Sequence, residues 1–186
     1  MDESSIEVPE RKPNSFWEFG KAVLISILIV IPVRAYLVQP FIVDGASMEP
    51  NFHGGNYLII DELTYQFREP VRNDVVVFRY PLSPSQFFIK RIIGLPGETV
   101  EIRSSKIYIT NINDETFELV QPYLSDSVET LPDSMTVVGP KNYFVLGDNR
   151  SHSSDSRVWG LLPKKNIMGR ALVRLWPLNQ IDFLIN

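Results

Sequence analysis

The stretch NDVVVFRYPLSPSQFFIKRIIGLPGETVEIRSSKIYIT, residues 73–110, decides the fold class of this chain. Its apolar runs are short, rich in β-branched and aromatic residues, and separated by Pro, Gly and Ser, which is typical of strands joined by turns. Near its end, Val100 and Ile102 alternate with polar residues before a polar turn, and Ile107 and Ile109 alternate after it. This period of two predicts a two-stranded antiparallel ribbon.

Segments of the same kind lie on both sides of this stretch. They are FIVD (41–44), NYLIID (56–61), YFVLG (143–147) and ALVRL (171–175). We therefore predict a mostly β, antiparallel domain over residues 39–186. Within it, residues 111–140 are more polar and have few apolar runs, so they are predicted to form a surface insertion.

A long apolar stretch precedes the β domain. Residues 22–43 contain a single charge, that of Arg34. A helix of this length would reach about 33 Å, close to the thickness of a bilayer core. We predict one N-terminal, uncleaved transmembrane helix over residues 16–38. A buried helix or a signal peptide is the alternative for an uninterrupted run of this length.

The distribution of basic residues predicts the orientation of this helix. Arg11, Lys12 and Lys21 lie before or at its start, whereas no base follows Arg34 until Arg68. Basic residues favour the cytoplasmic side of a membrane. We therefore expect a short cytoplasmic tail (1–15), a single pass through the cytoplasmic membrane, and an exported domain on the external side.

Composition excludes several classes of function. The 186-residue chain has no Cys and only two His, and its formal net charge is -4. Disulfides and thiolate metal sites are therefore impossible, and a transition-metal site would have few ligands. The chain also lacks the clustered basic residues of nucleic-acid-binding proteins. We predict no metal site and no nucleic-acid partner.

Two residues could form a nucleophile and its base. Ser47 lies in the turn-like sequence DGASMEP, where a serine is more often a turn residue than a nucleophile, and a serine nucleophile needs a base. Lys90 lies in a predicted strand, with Phe88 and Ile92 on its own face. Burial among apolar side chains lowers the pKa of an amine, so Lys90 could accept a proton. An ordinary strand-edge cation is the alternative.

The two histidines offer another base. A Ser-His-Asp triad would use His53 or His152. His53 lies in a Gly-rich turn and His152 in a polar loop, where a surface role is common. The sequence excludes neither histidine as the base, although Lys90 has the more apolar setting.

The sequence GDNRSHSSDSR, residues 147–157, is dense in hydrogen-bonding groups. Two acids and two arginines in it can form Asp–Arg pairs: Asp148, Asp155, Arg150 and Arg157. Its serines can orient neighbouring side chains by hydrogen bonds. The apolar VWGLL that follows predicts that the end of this segment is packed, where an unpaired charge would be costly.

As an ordered set, four segments behind an apolar stretch resemble the type I signal peptidases of the bacterial Ser/Lys class. The segments are FIVDGASMEPNF (41–52), NDVVVFRYP (73–81), FIKRIIGLPGE (88–98) and GDNRSHSSDSRVWGLLP (147–163). The resemblance covers the apolar stretch and most of the chain.

The resemblance implies roles at the catalytic centre. Ser47 matches the nucleophile, Lys90 the general base, and Ser153 the serine whose hydroxyl orients the lysine amine. Met48 matches a residue that lines the substrate cleft. The backbone N–H of Ser47 would bind the oxyanion, and Gly45 stands where some members carry a serine that supplies a second donor. The identity of that second donor stays open here.

Other matches imply support and fold. Asp148 and Arg157 match residues that hold the last segment, residues 147–163, against the base strand, which is the strand that contains Lys90. Asp155 belongs to the same structural group. The family fold is a mostly antiparallel β catalytic domain with an N-terminal transmembrane helix. Residues 111–140 correspond to a variable part of the family, from which we expect no catalysis.

The resemblance thus implies a membrane-anchored serine endopeptidase that removes N-terminal signal peptides from exported precursors. It would cut after small-x-small (Ala-x-Ala-like) sites through an acyl-enzyme, as a monomer and without a cofactor or metal. Its partners would be signal peptides and membrane lipid, with a translocon as a further candidate. Two alternatives stay open: a membrane-tethered, non-catalytic homologue that binds signal peptides, and a related self-cleaving Ser/Lys peptidase.

Overall fold

The chain divides into two units, residues 1–36 and 37–186. The computed structural model describes residues 15–36 and 38–184. In the first unit a single helix, α1 (Ser15–Tyr36), covers most of the predicted anchor. The predicted tail before Ser15, residue 37 and the side chains of residues 15, 29 and 31–38 lie outside the described residues.

The apolar helix was predicted to cross a membrane. Among the described residues, no helix is long and apolar enough to do so. The transmembrane part of the prediction is therefore not confirmed.

The second unit is built from short strands. They are β1 (Val38–Ile42), β2 (Tyr57–Asp61), β3 (Val75–Arg79), β4 (Phe87–Gly94), β5 (Thr99–Arg103), β6 (Lys106–Thr110), β7 (Thr116–Glu118), β8 (Ser134–Val137), β9 (Asn142–Leu146), β10 (Leu162–Pro163), β11 (Ile167–Trp176) and β12 (Asp182–Phe183). Two one-turn helices, α2 (Thr64–Phe67) and α3 (Ser156–Trp159), connect them. Three 3₁₀ turns lie at Arg150–His152, Lys164–Asn166 and Leu178–Gln180.

The strands form two antiparallel sheets. The larger has the order β1-β2-β11-β3-β4-β9-β10, with β12 paired to β11, and the smaller has the order β7-β6-β5-β8. The predicted ribbon is confirmed as the β5–β6 pair, in which Val100 faces Ile109 and Ile102 faces Ile107. These four side chains are buried together in the core of the smaller sheet. The prediction of a mostly β, antiparallel domain is confirmed.

Strand β4 is paired differently along its two edges. One edge pairs with β3 from Phe87 to Arg91. The other pairs with β9 only from Arg91 to Gly94. No strand in the described part of the chain covers that second edge at residues 87–90. The carbonyl oxygen of Ile89 accepts a hydrogen bond from the Lys90 side chain, and the edge is otherwise open to another extended chain.

Residues 111–140 do not all lie on the surface. They supply both edge strands of the smaller sheet, β7 and β8. Leu119, Thr130 and Val138 are buried. The sequence signal is weak because these strands have only three and four residues, too few to show a clear period of two. Part of the predicted surface insertion is therefore integral to the domain.

Candidate active site

Ser47 lies in the loop between β1 and β2, and its neighbours fix the loop in two ways. Gly45 has a φ of 83°, a left-handed conformation that residues with a Cβ rarely adopt. Met48 is only 1% exposed and packs in the core of the larger sheet. The resemblance places Met48 in the substrate cleft, but the structure places it in the core. Its burial anchors the loop directly behind Ser47.

Lys90 lies in the middle of β4 and contacts Ser47. Its Nζ donates hydrogen bonds to Ser47 Oγ at 2.7 Å and to the carbonyl oxygen of Ile89 at 2.9 Å. The residue is only 3% exposed. On the same strand face, Ile92 is fully buried and the ring of Phe88 lies 5.3 Å from the amine. The structure thus brings the predicted nucleophile and base together in an apolar setting.

Burial lowers the pKa of Lys90 to about 8 from its ordinary value of 10.5. The cause is desolvation, which disfavours the charged form of the amine. The carboxylates of Asp155 and Asp148 act in the opposite direction and favour the ammonium. Desolvation prevails, so a substantial fraction of the amine is uncharged in weakly alkaline solution.

Asp148 joins the last segment to the base strand. Its two oxygens accept hydrogen bonds from Arg91 Nε at 2.9 Å and Arg91 Nη2 at 2.7 Å, a bidentate pair that is buried on both sides. Asn51 Nδ2 donates to the same carboxylate at 2.9 Å. Because Arg91 follows Lys90 directly, this pair holds residues 147–163 against β4, as the resemblance implies for Asp148.

Asp155 and Arg157 form a second buried pair, within the last segment itself. Asp155 caps α3 by accepting from the backbone N–H of Arg157, and it also accepts from the guanidinium at Nε and Nη2, both at 2.8 Å. Arg157 donates further to the carbonyl oxygens of Arg150 and Leu131. The resemblance implies that Arg157 holds this segment against the base strand, whereas its contacts described here are to Asp155 and the two carbonyls.

Ser153 lies beside the nucleophile loop. A Cβ built on Gly147 would fall 2.2 Å from Ser153 Oγ and 2.4 Å from the carbonyl oxygen of Ser47, so these three residues are packed closely. Ser153 Oγ is buried and has no hydrogen-bond partner among the described residues. The structure therefore places Ser153 near the nucleophile without the bond to Lys90 that the resemblance implies.

Neither histidine bonds to Ser47 in the part of the chain described here. His53 Nδ1 lies 3.4 Å from Glu49 Oε1, and His152 Nδ1 lies 2.9 Å from Ser151 Oγ. Ser47 Oγ instead accepts a hydrogen bond from the amine of Lys90. The geometry favours Lys90 over either histidine as the base.

Ser47 and Lys90 open onto a cleft of about 510 Å³. The first residues of β4 and the loop before Ser47 form its walls. Its lining residues are Phe41, Asp44, Gly45, Ala46, Ser47, Gln86, Phe87, Phe88, Ile89, Lys90, His152 and Ser154. In the described part of the chain, including this cleft, no three His, Asp or Glu side chains lie close enough together to hold a metal ion. The cleft is thus large enough for a short peptide segment and contains the predicted nucleophile and the predicted base.

Two supporting residues were not predicted from the sequence. Asn149 donates from its backbone N–H to the carbonyl oxygen of Ser47 at 3.1 Å and from Nδ2 to that of Ala46 at 3.0 Å. Arg91, to which the sequence assigns no role, is buried and paired with Asp148. In the sequence, each of them directly follows a predicted site residue: Arg91 follows Lys90, and Asn149 follows Asp148.

Comparison with known proteins places the chain among peptidases. Residues 16–176 match the family model described as signal peptidase, peptidase S26. A probable signal peptidase I-2 of Synechocystis is 34% identical, over 94% of this chain and 80% of that protein. Signal peptidase I T of Bacillus subtilis is 35% identical, over 92% of this chain and 91% of that protein.

A solved structure also matches. It is the crystal structure of a signal peptidase I from Enterococcus faecalis, which is 33% identical, with a TM-score of 0.47. The match covers 55% of this chain and 97% of that one.

The buried amine predicts a pH-dependent effect on stability. In the unfolded chain Lys90 keeps its ordinary pKa, so the cost of burying its charge is complete below pH 8 and disappears as the pH rises to about 10.5. Lys90→Met removes this cost of about 3 kcal/mol but leaves the carbonyl of Ile89 without its donor. We therefore expect the difference in unfolding free energy, variant minus wild type, to fall by about 3 kcal/mol between pH 7 and pH 10.5, because wild type becomes more stable over this range and the variant has no such gain. Urea unfolding of both proteins at several pH values measures this, and parallel stability profiles would contradict it.

Proposed function

Because this chain belongs to the signal peptidase family, peptidase S26, we propose that it removes signal peptides from exported precursor proteins with Ser47 as nucleophile and Lys90 as general base. The observation that carries this proposal is the 2.7 Å contact between Lys90 Nζ and Ser47 Oγ. It is supported by the burial of the amine, which lowers its pKa to about 8. A serine hydroxyl needs such a base to become nucleophilic.

The proposed reaction is peptide-bond hydrolysis in two halves. Neutral Lys90 accepts the proton of Ser47 Oγ as the oxygen attacks the scissile carbonyl carbon, and the electron pair of the C=O bond moves to its oxygen. When the tetrahedral intermediate collapses, the C–N bond breaks and the ammonium of Lys90 gives its proton to the leaving amine. Water then repeats these steps on the acyl-enzyme, and Ser47 is released. The reaction uses no metal or organic cofactor.

The backbone N–H of Ser47 is the proposed donor to the oxyanion. In the described structure this group donates to no protein acceptor, so it is available for a ligand. Gly45 has no side chain to supply a second donor. Its φ of 83° would strain a serine at this position. The second donor is therefore a different group from the serine hydroxyl that some family members use.

The free edge of β4 suggests how a substrate binds. Residues 87–90 line the cleft, and their outer edge has no strand partner in the structure as described. An extended signal-peptide segment could add its backbone to this edge, which is a common mode of peptide recognition. We propose that the cleft then selects small residues one and three positions before the cut, because larger side chains would overlap with its walls.

Substitution of the pair tests the proposal directly. We expect Ser47→Ala and Lys90→Ala each to reduce kcat/KM for a model precursor at least about 10,000-fold, since neither half of the pair works alone. The exposed residues Ser125 and Lys165 provide matched controls. Ser125→Ala and Lys165→Ala should leave cleavage unchanged. Cleavage is measured by gel or mass spectrometry in detergent, with a thermal scan of each variant.

Two outcomes would overturn the assignment. If Ser47→Ala or Lys90→Ala cleaves at the wild-type rate, the pair is not the catalytic group. If wild type binds the precursor but leaves it intact, the chain is a non-catalytic homologue that only binds signal peptides.

The lowered pKa of Lys90 predicts the pH dependence of cleavage. The base must be neutral, so kcat/KM should rise about tenfold per pH unit below pH 8, reach half its maximum at about pH 8, and then level off. A midpoint near 10.5 would contradict a desolvated base. A rising limb that disappears in His152→Ala would instead assign the base to the histidine that lines the cleft.

We further propose that α1 attaches the enzyme to the cytoplasmic membrane, with residues 39–186 on the external side. Large apolar side chains of this helix are exposed, Phe16, Phe19, Leu24 and Leu28 among them. Water is a poor solvent for such a surface, whereas lipid is a good one. Membrane attachment would also raise the effective concentration of substrates whose signal helices share that membrane.

Charged substitutions in α1 test membrane attachment. We expect wild type to remain in the membrane pellet after an alkaline wash, whereas Leu24→Arg combined with Leu28→Arg should move into the supernatant. Each arginine costs about 2.5 to 3.5 kcal/mol at the centre of a membrane helix. Ser26→Ala is the control and should stay in the pellet. Release of wild type by the wash would contradict the proposal.

A further inference from the structure

One peptide plane, between Ala46 and Ser47, is held from the last segment. The carbonyl oxygen of Ala46 accepts hydrogen bonds from Asn149 Nδ2 at 3.0 Å and from the backbone N–H of Glu49 at 3.2 Å. The carbonyl oxygen of Ser47 accepts from the backbone N–H of Asn149 at 3.1 Å. Asn149 therefore contacts the carbonyls on both sides of the nucleophile's backbone nitrogen.

Because a peptide bond is planar, the contacts of the Ala46 oxygen also set the direction in which the Ser47 N–H points. The Ala46–Ser47 bond is not among the cis peptide bonds of the described chain. In a trans peptide the C=O and N–H groups lie in one plane and point in opposite directions. Fixing the Ala46 oxygen towards Asn149 therefore fixes the Ser47 N–H on the opposite side, away from Asn149.

Asn149 is itself well supported. Its Oδ1 accepts from Ser151 Oγ at 3.3 Å, which leaves Nδ2 to donate to Ala46. Asp148, directly before it, is buried and paired with Arg91 on β4. One residue earlier, Gly147 packs so closely against the carbonyl oxygen of Ser47 that a Cβ would lie 2.4 Å from it. The amide thus follows directly after two residues that are buried and closely packed.

We propose that Asn149 is a positioning residue for the oxyanion donor: it orients the Ala46–Ser47 peptide so that the Ser47 N–H faces the developing negative charge. The inference rests on the proposed function, since it presupposes that Ser47 attacks a carbonyl. A donor stabilises a transition state most when it needs no reorientation as the charge forms. Loss of the Asn149 side chain leaves Ser47 and Lys90 in contact and removes one of the two hydrogen bonds to the Ala46 oxygen. The backbone bond from Glu49 remains, so the peptide is held less firmly and its N–H is less precisely directed.

Kinetics of an Asn149 variant distinguish this role from a merely structural one. We expect Asn149→Ala to lower kcat about 10- to 100-fold, less than the loss of a whole oxyanion donor, while KM changes less than about twofold. The half-maximal pH should stay at the wild-type value, because Asn149 makes no contact with Lys90. Asn149→Asp should lose more than Asn149→Ala, since its carboxylate cannot donate to the Ala46 oxygen and repels it.

A matched control exists elsewhere in the domain. Asn166 Nδ2 donates to the carbonyl oxygen of Arg79 at 3.0 Å, an exposed bond of the same kind and length. Asn166→Ala should leave kcat, KM and the pH profile unchanged. A thermal scan of both alanine variants shows whether their stabilities are comparable.

The outcomes separate the two proposals. Inactive wild type, or active Ser47→Ala, would refute the proposed function itself. If wild type is active and Ser47→Ala is inactive, three results would refute the role of Asn149 alone: kinetics of Asn149→Ala equal to those of Asn166→Ala, a rise in KM without a fall in kcat, or a shifted pH midpoint.

Discussion

The exclusion of water from one lysine amine is the constraint on which the rest of the site depends. Lys90 gives up hydration to lie against Ser47, and two hydrogen bonds replace only part of what it loses. Its charged form is therefore disfavoured, which costs stability in neutral solution and makes the amine a usable base. Strand β4 imposes this position, because apolar residues adjoin Lys90 on its own face.

The acids near this amine favour its protonated form, and they would do so more strongly if they were unpaired. Asp148 and Asp155 both favour the ammonium form of Lys90. Each is also held by an arginine, Arg91 in one case and Arg157 in the other. Such pairing stabilises a buried carboxylate and reduces its net field. The acids of the two ion pairs can therefore hold the last segment in place beside Lys90, while desolvation still lowers the pKa of its amine.

Sequence could predict the strands and the Ser47–Lys90 pair because both depend on local patterns and ordered motifs. It could not predict that Met48 lies in the core, since a methionine suits a cleft wall and a core equally well. It also missed Asn149, whose role comes from two backbone carbonyls that are about 100 residues away in the chain. Long-range contacts to backbone atoms leave no side-chain pattern for a sequence to reveal.

The segment between β7 and β8 is fastened to residues around the site on both sides of an exposed turn. Arg150 donates to Gln121 and Thr130, and Arg157 donates to the carbonyl oxygen of Leu131. Between these points the chain at residues 125–127 is exposed. Lengthening a loop whose ends are held costs little free energy. This turn is therefore a suitable place to insert an affinity tag or fluorophore-binding peptide while Ser47, Lys90 and their supporting ion pairs stay in place.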